Sequence, residues 1–558
     1  MAIKRHKRNG RVYLAEYKSE RINGKVKSTY VRYIGVEGEP KLPPKIRKSP
    51  LESVKFSRTT QSGDVSVLWQ ICEELEIAMI IDHFIYGNSD KPTITPGKLL
   101  AIWAINRVID PESATQLSEW VINTDLPLLS GIMTESFTKD AFLTSLDFIF
   151  QYNQPSGKIA DISAPIEESL YQNWRKKSPL PEGENEILAY DMTAILFQGT
   201  KCPLSQLGHN PDHLKRNQVN LAILVSKFDK YPISHSTYSG ERVSITTVKN
   251  LFACLNELSL EPGTLIWDRG NVSFESIQIV DEFNWKIICG LPKTSKPVQN
   301  ILLETIIPST PQYKIKNSEC GHIYAKKIRA KVYGKNRSII VYFNMNAGIR
   351  DTEERNNILQ AYSIKVDQVL KNKDGMDEKQ LLKTLKMTLK TYCRFFIFQF
   401  KTTGQQISGE WEYNNEEISH AQLADGKYAI LSTDDNLSAK EVITEYFGKD
   451  FIEKKFQKMK SGHELMPVRH RLEHRVRSYI FLHMLALRIN TVLFQKFKKI
   501  CPENTEECMK TFLKKMSRVE RTKVCIGNEV KTTFLNFTPD LKETVKLIGM
   551  SHLFHEDL

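Results

Sequence analysis

Between Ile187 and Cys289 the chain is built from short apolar runs that stop at Gly, Pro or an acid, and this spacing constrains the fold more than any other feature. Ile187-Leu188-Ala189-Tyr190, bounded upstream by Pro181, Gly183 and Asn185, closes on Asp191. Two further runs, Val219 to Val225 and Pro232 to Thr237, are joined by a polar turn at Lys227 to Tyr231. Val248, Leu251, Phe252, Leu255 and Leu258 then recur at helical period. Thr264-Leu265-Ile266-Trp267, launched from Pro262-Gly263, closes on Asp268 and is followed by Arg269-Gly270-Asn271. A second helical pattern from Ser273 carries Phe274, Ile277, Val280 and Phe283 on one face, and Trp285 to Cys289 reads as another strand. Short apolar runs bracketed by Gly and Pro read as buried strands. Three antiparallel-looking strands followed by alternating helix and strand predict an α/β sheet.

Each of the two strands closing on Asp191 and Asp268 presents an acid where ligands gather in open α/β sheets. Taken singly, either Asp is equally a strand-end residue capping a turn. A third acid, Glu453, lies in Tyr446-Phe447-Gly448-Lys449-Asp450-Phe451-Ile452-Glu453, with Lys460 beyond. On one continuous helix Tyr446, Lys449, Glu453 and Lys460 share a face, because residues three, four and seven apart are stacked neighbours. The plain alternative is an exposed helix with an ordinary Lys449/Glu453 ion pair. Gly448 could break the helix, with Asp450 capping a second one. Three carboxylates make a possible two-metal site, in which hard Mg²⁺ or Mn²⁺ ions take oxygen ligands and activate water.

Asp191-Met192-Thr193, Asp268-Arg269-Gly270 and the Tyr446/Lys449/Glu453/Lys460 series resemble the DDE transposases of bacterial and archaeal insertion sequences, specifically the insertion-sequence-four superfamily with its Tyr-Arg-Glu-Lys signature. Gly97 to Trp120, Asp425-Gly426-Lys427-Tyr428 and Pro467-Val468-Arg469-His470 add to the likeness, which runs to about residue 490. It implies a ribonuclease H-like α/β core interrupted by a strand-containing insertion and preceded by a β-hairpin and a helical domain. It also implies catalytic and metal-holding roles for Asp191, Asp268 and Glu453, and phosphate or DNA-end positioning by Tyr446, Lys449 and Lys460. Two Mg²⁺ or Mn²⁺ ions are implied as cofactors. The implied partners are double-stranded DNA, as terminal inverted repeats and target, and a second copy in a homodimer. Lys449 stands where the signature has Arg, turning a bidentate contact into a point charge. Asn271 stands where related chains carry an apolar residue.

A formal net charge of +13 over 558 residues suits a polyanionic partner, although basic proteins of other classes share it. No apolar run approaches a membrane span, and the basic Met1 to Arg11 has no apolar stretch behind it, so neither a span nor a secretory signal is expected; the resemblance implies the prokaryotic cytosol or nucleoid. Nine cysteines, scattered without Cys-x-x-Cys pairs, read as reduced; Cys320-Gly321-His322 lacks partners at zinc spacing.

The expected division is a basic hairpin segment (1–45), a helical domain (46–182), a core in two parts (183–290 and 426–494), an insertion (291–425) and a helical C-terminal region (495–558). Arg11 to Tyr17 and Lys25 to Ile34 read as a hairpin through Asn23-Gly24, with Tyr13, Tyr17, Tyr30 and Tyr33 among basic residues. A Pro- and Lys-rich linker, Pro40 to Pro50, follows. Thr95-Pro96 and Asp110-Pro111 each read as a helix start, and Leu99, Leu100, Ile102, Trp103, Ile105 and Val108 as core. Ser438-Ala439-Lys440-Glu441 reads as a capping box. In the insertion, Lys326, Lys327, Arg329 and Lys331 are either a DNA contact or a solvated strand face, and Trp411 either stacks on a base or packs. Two other readings stay open: a non-catalytic DNA-binding protein derived from a transposase, and a metal-dependent nuclease without strand transfer.

Overall fold

The computed structural model describes residues 1–22, 25–38, 54–56, 58–153, 155–208, 210, 214–242, 244–317, 321–372, 375–403, 406–526 and 529–555. The Asn23-Gly24 turn, the Pro40 to Pro50 linker and Cys320 lie outside them. Two compact units are present: Met1–Thr60 with Glu520–Asn536 and Phe554–Leu558, and Gln61–Val519 with Phe537–Leu553.

In the smaller unit, Arg11–Ile22 and Lys25–Val36 pair antiparallel as expected. Ala2–Arg8 adds a third strand on the other side of Arg11–Ile22. Tyr17 lies opposite Tyr30, their rings 5.7 Å apart, and Lys4 sits 4.8 Å over the Tyr17 ring. The hairpin Glu520–Ile526/Glu529–Leu535 pairs with Val54–Phe56. The region after residue 495 is therefore not helical throughout, because Thr522, Val524, Val530 and Thr532 are β-formers that find partner strands.

The larger unit is mixed α/β around one ten-stranded sheet. Its strands are β1 (Ile187–Leu196), β2 (Asn217–Ser226), β3 (Pro232–Ser239), β4 (Thr264–Trp267), β5 (Lys286–Gly290), β6 (Lys314–Asn317), β7 (Gly321–Val332), β8 (Lys335–Phe343) and β9 (Lys427–Ser432). They lie in the order β3-β2-β1-β4-β5-β9-β8-β7-β6, with Gln206–Leu207 paired to β2. β3, β2 and β1 are antiparallel; β4 runs parallel to both β1 and β5. β2 is buried along almost its whole length, as a strand covered on both faces must be. Helices α1 (Val248–Glu257) and α2 (Phe274–Glu282) connect β3 to β4 and β4 to β5. α2 buries Ile277 and Val280, whereas Phe274 and Phe283 remain exposed.

The core over β1 and β2 joins Ala189, Ile195, Leu221 and Ile223 to Ile452, Phe456, Val476, Ile480 and Met484. Part of the stretch expected as an insertion continues the sheet as β6, β7 and β8. The remainder, from Met345–Lys371 to Asn415–Gln422, closes its own core around Leu359, Val366, Leu381, Leu385 and Phe396. Trp411 packs against that core and donates its indole N–H to Asp367 at 2.8 Å. Lys327 donates to the carbonyls of Asp435 and Leu437, and Arg329 pairs with Asp435 at 2.8 Å, so both cations are used within the fold.

Thr95 caps Pro96–Ile109 by accepting from the Lys98 N–H at 3.2 Å, and Leu99, Leu100, Ile102, Trp103 and Ile105 are buried. Asp110 instead ends that helix. The next begins at Ala114, where the Ser113 hydroxyl accepts from Gln116 and supplies the cap expected of Asp110. Cys501 and Cys508 form a disulfide, which corrects the expectation of reduced cysteines for that pair; Cys72, Cys202, Cys254, Cys289, Cys393 and Cys525 are free. Among the described residues no helix is long and apolar enough to cross a membrane.

Candidate active site

Strand register brings two of the three acids together. β1 and β4 are parallel neighbours with Ala189 opposite Ile266 and Tyr190 opposite Trp267. Asp191 and Asp268 are the next residue of each strand, so they leave adjacent strands at one level, where neighbouring backbones are about 4.8 Å apart. Side chains alternate along a strand, so Ala189, Asp191 and Thr193 project from one face of β1. Ile266 is on that same face of β4, which directs Asp268 to the side Asp191 occupies. Asp191 is not a strand end, as the sequence reading had it. β1 continues to Leu196 because β2 keeps pairing with it, Ile223 opposite Asp191, after β4 has stopped.

The segment after β9 crosses this face as two helices rather than one. α3 (Ala439–Phe447) starts at the expected capping box, with Ser438 and Glu441 bonding reciprocally, and ends at Gly448. α4 (Asp450–Gln457) follows and gives way to a wider turn over Lys458–Gly462. A Cβ on Gly448 would lie 2.8 Å from the Thr444 carbonyl and 3.3 Å from the Lys227 side chain, which itself pairs with Glu445. The helix break thus coincides with a close approach to the loop after β2. The single-helix face does not form, and the Lys449/Glu453 pair is replaced by another.

The broken path brings Tyr446 and Lys449 to Asp268 and Lys460 to Thr193. The Tyr446 hydroxyl donates to Asp268 Oδ1 at 3.1 Å, and Lys449 Nζ lies 3.0 Å from the same oxygen. Burial and then the Asp268 charge hold the Tyr446 phenol well above its ordinary pKa, so it serves as a donor. Lys460 Nζ donates to Thr193 Oγ1 at 2.7 Å, two residues along the Asp191 face. Glu453 is exposed, one residue from the buried Ile452 that seats α4 on β1 and β2. Burial pushes the Asp191 carboxyl up to about 6; the Asp268 and Glu453 charges add to the shift, and Lys449 opposes it.

Two further residues shape the site, Gly290, which carries no sequence signal of its own, and Asn271. Gly290, the last residue of β5, leaves room for Tyr446: a Cβ there would stand 2.4 Å from the phenol oxygen. Asn271 is buried, with its Oδ1 unpartnered, and its N–H bonds the Asp268 carbonyl at 3.0 Å. Its polar side chain lies where an apolar one was expected. Beyond Pro467, burial lowers His470 to about 4, and His474 and Arg475 both engage Asp147.

Among the described residues no three His, Cys, Asp or Glu side chains stand close enough to cage a metal ion. In kind, however, the donors fit a hard dication. All are carboxylates, and like charges that raise the Asp191 pKa are what such an ion would offset. Tyr446 and Lys449 both engage Oδ1 of Asp268, leaving Oδ2 outside that pair of contacts.

No family model matches this chain, and no curated protein does. Among solved structures, a piggyBac transposase synaptic complex with hairpin DNA is similar over 89% of this chain and 86% of its own, at 8% identity and a TM-score of 0.40. That likeness is too loose to assign chemistry or residues.

Proposed function

We propose that the chain is a DDE-type transposase that cleaves and joins DNA strands at the terminal repeats of an insertion sequence. The observation that carries this reading is the register of β1 and β4, which sets Asp191 and Asp268 side by side beneath the segment bearing Tyr446, Lys449 and Glu453. The order β3-β2-β1-β4-β5, an antiparallel trio followed by two parallel strands, agrees with a ribonuclease H-like core. In this reading Asp191, Asp268 and Glu453 would hold divalent Mg²⁺ or Mn²⁺, which would supply activation of water or a DNA 3′-hydroxyl and neutralisation of phosphoryl charge. Lys460, set beside Thr193, steadies a DNA phosphate. Lys449 and Tyr446 orient Asp268 and keep one of its oxygens engaged until DNA and metal arrive. Double-stranded DNA, a second copy of the chain and a prokaryotic cytosolic setting belong to the same proposal.

The test is strand cleavage on a duplex carrying the repeats that flank the coding region. Cleavage is expected with Mg²⁺ or Mn²⁺, not with Zn²⁺ alone, and is expected to be lost in Asp191→Ala, Asp268→Ala and Glu453→Ala. Full activity in any one variant removes that residue from the site. The Lys449–Asp268 contact equally suits a closed site in a non-catalytic DNA-binding protein. Repeat-specific binding without metal-stimulated cleavage would favour that alternative, and cleavage without joining to a target would favour a nuclease.

A further inference from the structure

On the side of α4 turned away from Glu453, the larger unit holds a cavity of about 640 Å³ between α4, the helix α5 (Glu473–Ile500) and the start of the helix α6 (Thr505–Met516). Phe451, Lys454, Lys455 and Lys458 recur at helical spacing and line it, whereas Glu453 projects roughly 200° around α4 from Phe451, at about 100° per residue. The cavity is therefore built independently of the acidic site.

Three features of its wall point to one ligand chemistry. Lysines exceed glutamates, six to three, and Glu506 is already paired with Lys510 at 3.1 Å. Asn490 lines the cavity with only 7% of its surface exposed, and its Nδ2 donor has no partner. Asn504, at the N-cap of α6, makes no side-chain capping bond, so the first-turn N–H groups of a twelve-residue helix lie at the wall without one. A buried donor without an acceptor is costly, and a multivalent oxyanion would supply one to Asn490 Nδ2, face the first turn of α6 and balance the excess of lysine charge. Two of the amines bond neutral oxygens, Lys455 donating to Thr491 Oγ1 and Lys230 to the Lys227 carbonyl at 2.9 Å. Burial holds Lys455 near about 7 against the attraction of Asp229, and burial with the Lys227 and Lys498 charges holds Lys230 near about 8. Lys230 also lies 3.9 Å over the Phe451 ring, which gives it a partner but no counter-charge.

We propose that this cavity is a phosphate-binding site. The phosphate is either free, as inorganic phosphate or a small phosphorylated molecule, or part of a DNA backbone seated at the mouth of the cavity. The site is separate from strand cleavage and stands whether or not that reading holds.

The experiment is calorimetric titration of the full chain with inorganic phosphate and pyrophosphate at low ionic strength, repeated on Lys458→Met and Asn490→Ala after each variant's melting temperature is checked. Saturable binding is expected, tighter for pyrophosphate and weakened about tenfold or more in both variants, the range for a lost charge-assisted contact. Lys458 is only partly buried and Asn490→Ala removes an unpartnered group, so both are expected to fold. Titrations repeated with saturating duplex DNA separate the two sources: loss of phosphate binding assigns the site to DNA phosphate, and retention assigns it to a free ligand. No saturable binding to the wild-type chain, or binding unchanged in both variants, overturns the proposal.

Discussion

Asp268 takes two bonds on one oxygen, from Tyr446 and Lys449, and the residue that permits the first is a glycine. Gly290→Ala places a methyl 2.4 Å from the phenol oxygen, which has to move. The expected cost is about 1–3 kcal/mol, the range for overpacking a buried contact. Tyr446→Phe removes the clashing oxygen, so the double variant is expected to recover part of that loss. Chemical denaturation of the four proteins measures it, and additive losses would mean the two residues do not meet. For Lys449, partial solvent exposure of Asp268 limits the ion pair to about 0–1 kcal/mol of stability. Lys449→Arg keeps the charge and is expected to retain most strand cleavage, while Lys449→Ala is expected to lose about tenfold or more. Wild-type cleavage by Lys449→Ala would remove the residue from the site.

At the scale of elements, the helix Ser163–Lys177 is tied to the sheet and to α5 through one carboxylate. Glu167 accepts from the His235 backbone and ring and from Arg488, all buried. Burial alone would raise its pKa; the His235 and Arg488 charges and bonds outweigh burial and lower it to about 2. A carboxyl depressed in the folded state stabilises it fully above the usual glutamate pKa of 4.5, and that contribution is lost as pH falls from there through about 2. Glu167→Gln is therefore expected to melt lower than wild type at pH 7, with the gap closing below pH 4. A pH series of thermal melts decides it, and a constant gap would show that charge plays no part. Ser438→Ala tests the start of α3, with an expected loss of about 1 kcal/mol from the cap. The break at Gly448 has a clear origin: its signal was present in the sequence, but the close approach of Lys227 depends on the loop after β2.

Over the whole molecule, the DNA binding proposed above is expected to weaken steeply with salt, given the charge of +13. Gel-shift affinity is expected to fall between 50 and 200 mM salt, by an amount set by the number of phosphates contacted. A salt-independent affinity would argue against an electrostatic interface. The three-stranded sheet at the N-terminus, with Tyr30 and Tyr33 exposed among lysines and arginines, is one surface that truncation can test. Removal of residues 1–38 is expected to reduce that affinity while leaving the melting of the larger unit in place.

Local chemistry was enough to determine much of this chain. The alternation of apolar runs and helical periods between Ile187 and Cys289 specified β1 to β5 with α1 and α2, because burial on a sheet demands that pattern. The Ser438 and Thr95 caps were readable for the same reason: each is set by neighbours within a few residues. Tertiary structure decided the rest. The pairing of β9 with β5, the approach of Lys227 to Gly448, the seat of Tyr446 over Gly290 and the transfer of Lys449 from Glu453 to Asp268 all join residues more than a hundred positions apart. Such contacts follow from how layers stack, and periodicity along the chain carries no record of which distant strand or helix will lie opposite.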